Sequence, residues 1–193
     1  MQNQTTDIAQ LIKRCLKGEQ SAHTKIYRCY YKAMYNTAYR ILNDSFEAED
    51  IMQESFLTAF SKLSTFKSES KFGKDFVPFG SWLKRIVINK SLTQLKKNNK
   101  TELWQDNLKP IENIGEPEEE TSNEDYTNTT ARQIVLAIKE LKPNYRLVLN
   151  LSLIEGFDNE EIAQILNTNN QQVRTTISRA KKKLKEKLKL LRK

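Results

Sequence analysis

The chain is poor in the residues that break helices and in the cysteines and histidines that bind zinc. Its 193 residues include five glycines and four prolines. An all-β sandwich or barrel would need turn residues at far closer intervals. The two cysteines, Cys15 and Cys29, lie apart with no CxxC spacing, and His23 is the lone histidine, so a zinc site lacks its ligands. Both thiols are expected to be buried on helices in a reducing compartment. No apolar run approaches the ~20 residues that cross a bilayer. The opening MQNQTTDIAQ lacks the basic-then-apolar layout of a secretory signal. A cytoplasmic protein without membrane insertion is expected. Hydrophobic residues, at 38%, are few for one large core but sufficient for two small helical ones.

What the chain has in excess is positive charge, and its placement is uneven. The formal net charge is +8. Residues 1–97 carry sixteen Lys and Arg against nine Asp and Glu, and residues 131–193 carry fourteen against six. Between them, residues 98–130 hold only Lys100 and Lys109 against nine carboxylates. Two basic modules joined by an acidic strap are therefore predicted: 1–97, a flexible linker 98–130, and 131–193.

Hydrophobic spacing makes the fold class all-α, two small helical domains. Ile8, Leu11, Ile12, Cys15 and Leu16 form a narrow stripe ended by Gly18. A second helix is predicted from about Ser21 to Leu42, with Ile26, Tyr30, Met34, Ala38 and Ile41 on one face. Asp44 followed by Glu47 resembles a capping box opening a third helix, which would bury Ala48, Ile51, Met52, Phe56, Ala59, Phe60 and Leu63. Gly73, Pro78 and Gly80 interrupt the next stretch, and a fourth helix is expected from about Ser81. Beyond the linker, residues 131–141 and 143–154 read as two helices, with Pro143 at the first position of the second. Asp158 and Glu161 cap a short helix, and NTNN separates it from a long last helix with Val173, Ile177, Ala180, Leu184, Leu188 and Leu191 on one side.

That final pair has the proportions of a helix-turn-helix. Ala163 lets the second helix cross closely, and Asn167 can take the left-handed conformation a tight turn needs. Gln171, Gln172, Arg174, Thr175, Ser178, Arg179 and Lys182 then face outward or flank the outward face. Arg can bond two acceptors of guanine and Gln can pair with adenine, while the lysines that follow suit phosphates. Residues 134–188 closely resemble the promoter-reading C-terminal domain of extracytoplasmic-function (ECF) sigma factors. The resemblance implies that this helix reads the upstream, minus-thirty-five element as double-stranded DNA. Thr176 stands where the family often has arginine.

The N-terminal half carries two further features. Glu49, Asp50, Gln53 and Glu54 lie one helical turn apart, away from the apolar stripe, and no Lys or Arg occurs between Arg40 and Lys62. Such a face repels DNA and suits a basic protein partner. Then Phe66, Phe72, Phe76, Phe79 and Trp82 interleave with Lys67, Lys71, Lys74, Lys84 and Arg85. Aromatic faces stack unpaired bases while cations follow the backbone. Phe79 and Trp82 are expected in the core, leaving the polar residues from Ser64 to Lys74 as candidates for a base pocket.

These segments also resemble the ECF sigma family. YRILNDSFEAEDIMQESFLTAFSKL looks like its core-binding helix, matching at Ala48, Glu49, Asp50, Ile51, Gln53, Glu54 and Phe56. The implied partner is core RNA polymerase, through the clamp coiled coil of its largest subunit. FGSWLKRIVINKSLTQLKK looks like the segment that reads the minus-ten element as single-stranded non-template DNA, with Lys84, Arg85 and Asn89 matching and Thr93 and Lys96 departing from the usual Asp and Arg. The resemblance implies a sigma factor that is a monomer when free, needs no cofactor or metal and is not an enzyme. Family members are commonly held by an anti-sigma factor, so such a partner is implied as an option. The acidic linker either threads the polymerase channels, with Glu116 and Glu118 to Glu120 standing in for phosphates, or acts as a soluble spacer.

Two other functions fit parts of the chain. A free-standing helix-turn-helix regulator would explain the C-terminal half but give the acidic helix and aromatic loop no purpose. A nucleic-acid enzyme could hold magnesium on Glu49, Asp50 and Glu54, but no phosphate loop, HExxH motif or nucleophile–base pair accompanies them.

Overall fold

The structure, a computed structural model, describes residues 7–67, 78–98 and 131–191. Every regular element among the described residues is helical, and the chain divides into two compact units between Leu95 and Lys96. The acidic run lies outside the described residues except for Asn98.

In the first unit, α1 (Ile8–Leu16) starts on Asp7, whose side chain accepts bonds from the backbone N–H groups of Ala9 and Gln10 at 3.0 and 3.3 Å. Only Leu11 and Cys15 of its stripe reach the core; Leu16, expected there, is 54% exposed. Leu16 stands about 100° round the helix from Cys15, off the buried side. Gly18, at φ +81°, turns the chain into α2 (Gln20–Leu42). Asn43 ends α2 in the left-handed region at φ 58°, and Asp44 caps α3 (Ser45–Ser61) through bonds from Phe46 and Glu47 N–H at 2.9 Å. A short 3-10 turn (Leu63–Thr65) follows, and α4 spans Phe79–Asn98, beginning two residues earlier than expected.

Ala22 and Ala38 of α2 and Ala48 and Ala59 of α3 are fully buried, small side chains that suit close packing of helices. Ile26, Met34, Ile41, Ile51, Met52, Phe56, Leu83, Val87 and Ile88 fill the remaining space. Each large apolar side chain so enclosed contributes roughly 1.5–3 kcal/mol. Phe60 is only half-buried, set edge-on to His23 with ring centres 4.7 Å apart, and His23 Nδ1 lies 3.0 Å from the Glu19 carbonyl oxygen, as an ordinary helix residue. Tyr30 too is half-buried, and burial raises its phenol above the usual range. The cysteines divide: Cys15 is buried and burial pushes its thiol up, but Cys29, expected inside, is exposed because it lies on the outer side of α2.

The second unit contains α5 (Ala131–Lys139), α6 (Pro143–Leu149), α7 (Asn159–Leu166) and α8 (Asn170–Leu191). Five successive residues, Leu147 to Leu151, are buried, so α6 runs through the middle of the unit with neighbours all round. The helix does not continue to 154 in α form as its spacing suggests. Residues Asn150–Ile154 widen into a π turn, with Glu155 N–H donating to the Asn150 carbonyl at 2.9 Å. Arg146 is drawn against α5, donating to the Lys139 carbonyl at 3.1 Å, and burial pulls its guanidinium below its ordinary range. Lys187 of α8 pairs with Glu140 at 2.6 Å. Ala137, Ile138, Leu147, Ile162, Leu166, Val173, Ile177, Ala180, Leu184 and Leu188 close the core.

The α1–α2 corner has a titratable clamp. Glu19 accepts from Arg14 Nε at 2.6 Å, from Arg14 Nη2, and from the Ser21 hydroxyl at 2.7 Å. The Arg14 bond, then the Ser21 bond, holds the Glu19 carboxyl down from 4.5 to about 2. A carboxyl with a depressed folded pKa stabilises fully above its unfolded value and loses that contribution as pH falls through the folded one. The melting-temperature gap between wild type and Glu19→Gln should therefore be widest above pH 4.5 and close as pH falls toward about 2. A gap that stays constant from about pH 6 down to about pH 2 would show that the carboxylate charge is not what the corner uses.

Candidate nucleic-acid interface

The rotation of α3 is fixed by what it buries. With Ala48, Ile51, Met52, Ser55, Phe56 and Ala59 turned inward, Glu49, Asp50, Gln53 and Glu54 are all exposed. Gln53 Nε2 donates to Glu49 Oε1 at 3.3 Å. One edge of the strip is met by α4: Lys90 Nζ lies 3.0 Å from Glu54 Oε2, and Gln94 Nε2 donates to Glu47 Oε1 at 3.2 Å. The second carboxylate of the expected capping box, Glu47, thus takes a bond from another helix. Lys90 and Gln94 were invisible to sequence reasoning, since they lie 36 and 47 residues from their partners. Among the described residues no three His, Cys, Asp or Glu side chains gather as metal ligands would.

The aromatic segment is seen at its two ends. Ser64 is exposed on the 3-10 turn and Lys67 is exposed just beyond it, while Lys71, Lys74, Phe72 and Phe76 fall outside the described residues. Phe66 packs edge-on to Phe79 with ring centres 5.5 Å apart, and lies 5.2 Å from Trp82. Phe79 is buried, as expected, whereas Trp82 is half-buried. Phe66 thus belongs to an aromatic floor and is not a ring held out for a base. Arg85 and Asn89, one turn apart, share an exposed strip of α4, and Lys84 is half-buried one position round the helix. Gly80 allows this floor to form. A Cβ there would lie 2.8 Å from Tyr30 Cε1, and the Tyr30 ring is held against Phe79 at 5.5 Å.

In the second unit both halves of the α7 capping box are present: Glu161 N–H donates to Asp158 Oδ1 at 2.8 Å, and Asp158 N–H to Glu161 Oε2 at 3.2 Å. Asn167 ends α7 at φ 53°, ψ 51°, the left-handed turn its sequence position suggests. Asn169 Oδ1 then accepts from Gln172 N–H at 2.8 Å and opens α8. Because Val173, Ile177, Ala180, Leu184 and Leu188 face the core, Gln171, Arg174, Thr175, Ser178 and Lys182 project on the opposite side. Gln172 and Arg179 are half-buried on its flank. Gln172 is already engaged, its Oε1 accepting from the Thr168 hydroxyl, so it braces the turn instead of pointing straight out. Thr175 and Thr176 hydroxyls bond back to the Gln171 and Gln172 carbonyls at 2.9 and 2.7 Å.

With this geometry in place, comparison with known proteins is specific. Residues 26–101 match the Sigma-70 region 2 family and residues 131–184 the Sigma-70, region 4 family. The ECF RNA polymerase sigma factor SigW of Bacillus subtilis is 28% identical over 191 residues, covering 94% of this chain and 96% of that protein. The ECF RNA polymerase sigma-E factor of Salmonella typhimurium is 28% identical over 194 residues, covering 97% of each. Among solved structures, the sigma factor RpoE of Bartonella quintana, in complex with the anti-sigma factor NepR, is similar at TM-score 0.55 and 21% identity, covering 86% of this chain and 96% of that one. CnrH, in complex with the cytosolic domain of CnrY, is similar at 0.52 and 20%, covering 93% and 96%.

The aromatic floor generates a stability test. Gly80→Ala should cost about 1–3 kcal/mol in urea unfolding, because the new methyl must displace the Tyr30 ring. The exposed neighbour Ser81→Ala should stay within about 0.5 kcal/mol of wild type.

Proposed function

The chain belongs to the sigma-70 family, in its extracytoplasmic-function group, and on that footing we propose that it binds core RNA polymerase and directs promoter recognition, local DNA melting and the start of transcription. It is a DNA-binding initiation factor in this reading, not an enzyme, and works in the cytoplasm; no described helix is long and apolar enough to cross a membrane. The observation that carries the proposal is the occurrence of both sigma-70 regions in one chain and in order, the first with an acidic helix face and the second with a helix-turn-helix. A free-standing regulator leaves the first without a purpose.

Each part has a task. Residues 1–97 form the core-binding and minus-ten module. Glu49, Asp50, Gln53 and Glu54 of α3 dock on the clamp coiled coil of the largest polymerase subunit, where exposed carboxylates steer a basic partner and set register. Ser64, Lys67, Lys71, Lys74, Lys84, Arg85 and Asn89 serve the single-stranded non-template DNA at minus ten. Residues 131–193 form the minus-thirty-five module, in which Gln171, Arg174, Thr175, Ser178 and Lys182 meet the duplex and Gln172 and Arg179 support them from the flank. The lysines from 181 to 189 suit the phosphates.

Two weak DNA readers become effective when polymerase carries both. A few salt-screened contacts bind feebly alone, but once one module is seated the other acts at high effective concentration. The RpoE of Bartonella quintana is held by an anti-sigma factor, and a comparable partner for this chain is part of the proposal.

The test is run-off transcription by purified core polymerase with and without the chain, followed by mapping of start sites. New start sites are expected only when the chain is present. Asp50→Lys with Glu54→Lys should abolish binding to core. Arg174→Ala should leave core binding intact and reduce initiation by roughly ten- to a hundredfold, the worth of one bidentate base contact. Start sites unchanged by the chain would overturn the proposal.

A further inference from the structure

Two of the three most exposed large apolar side chains among the described residues sit on α3. Phe46 is 82% exposed and Leu57 70% exposed. Neither fills the core, and the burial of Ala48, Ile51, Met52, Phe56 and Ala59 holds both outward. Their positions are not scattered. At 3.6 residues per turn, residues 46, 50, 53 and 57 fall along one line of a helix. Phe46 and Leu57 therefore stand at the two ends of the acidic strip, with Asp50 and Gln53 between them and Glu49 and Glu54 on either side.

We propose that the α3 contact surface has two parts, an acidic centre that steers and two apolar ends, Phe46 and Leu57, that provide the lasting grip. The inference rests on the reading of α3 as the polymerase-docking helix and specifies what must lie opposite it. The partner surface carries Lys or Arg at its middle and an apolar recess near each end. The ends are eleven residues apart, about 16 Å along the axis, so the partner is an extended element running beside α3 for about three turns. Charge complementarity identifies the occupant as basic: α3 from Ser45 to Ser61 contains no Lys or Arg. The division of labour follows from physics. Exposed charges act over distance but are screened by salt, whereas burial of apolar surface persists at high salt and slows dissociation.

The experiment measures the affinity of full-length chain for core polymerase at low and high salt by surface plasmon resonance. Phe46→Ser and Leu57→Ser should each weaken binding roughly tenfold or more, mainly through faster dissociation, at both salt concentrations. Asp50→Asn with Glu54→Gln should mainly slow association and flatten its salt dependence. Leu57→Met, which keeps an apolar side chain, should bind like wild type. Circular dichroism should show all variants folded, since neither side chain is buried. Wild-type affinity and dissociation rates for both Ser variants would overturn the two-part surface while leaving polymerase docking in place. Failure of the wild-type chain to bind core would instead overturn the docking reading and this inference with it.

Discussion

The structure depends on one constraint: helices pressed against close-packed cores are not free to rotate. In α3 the fully buried Ala48 and Ala59 leave no room for a quarter-turn, which would drive Glu49 or Glu54, according to its direction, into the packed face. A buried carboxylate without a partner is far more costly than any gain from repacking. In α8, Val173, Ile177 and Ala180 impose the same restriction on Arg174 and Ser178. Outward chemistry is thus specified by inward packing. The exposed side chains of these helices are aimed by the buried ones.

Local signals carried most of what the sequence revealed. Asp44 and Asp158 stand at helix starts where their carboxylates meet backbone N–H groups, and Asn167 stands where a left-handed residue is required. Each effect operates within a few residues, so it can be read from neighbours in the chain. The apolar spacing of α3 and α8 placed their outer faces for the same reason. What escaped was long-range or depended on shape. Lys90 reaches Glu54, Gln94 reaches Glu47, and Gly80 accommodates Tyr30, none of which is encoded by periodicity. Cys29 could not be assigned to the surface from its type alone, since a small thiol is tolerated on either side of a helix. The π turn at Asn150–Ile154 leaves no mark in the pattern of apolar residues. Of the segment between Ser64 and Lys74, only the start through Lys67 lies among the described residues, so the placement of Lys71 and Lys74 rests on sequence.

The Lys90–Glu54 pair introduces an asymmetry into the acidic strip. Both side chains keep substantial exposure, 31% and 60%, so the pair contributes little to stability by itself. It does bias the field of the strip. Glu54 is partly screened from solvent-side cations, while Glu49 is tied to the neutral amide of Gln53. The negative potential is therefore strongest toward Glu49 and Asp50, and an approaching basic surface is drawn first to that side.

The back-bonded threonines of α8 restrict what can be said to a base in chemical terms. A hydroxyl has one proton, and that of Thr175 is committed to the Gln171 carbonyl at 2.9 Å. In this rotamer the side chain presents outward a lone pair and a methyl group, with no donor. It can accept from the exocyclic amino group of cytosine or adenine, or lie against the thymine methyl, but it has nothing to give to O6 or N7 of guanine.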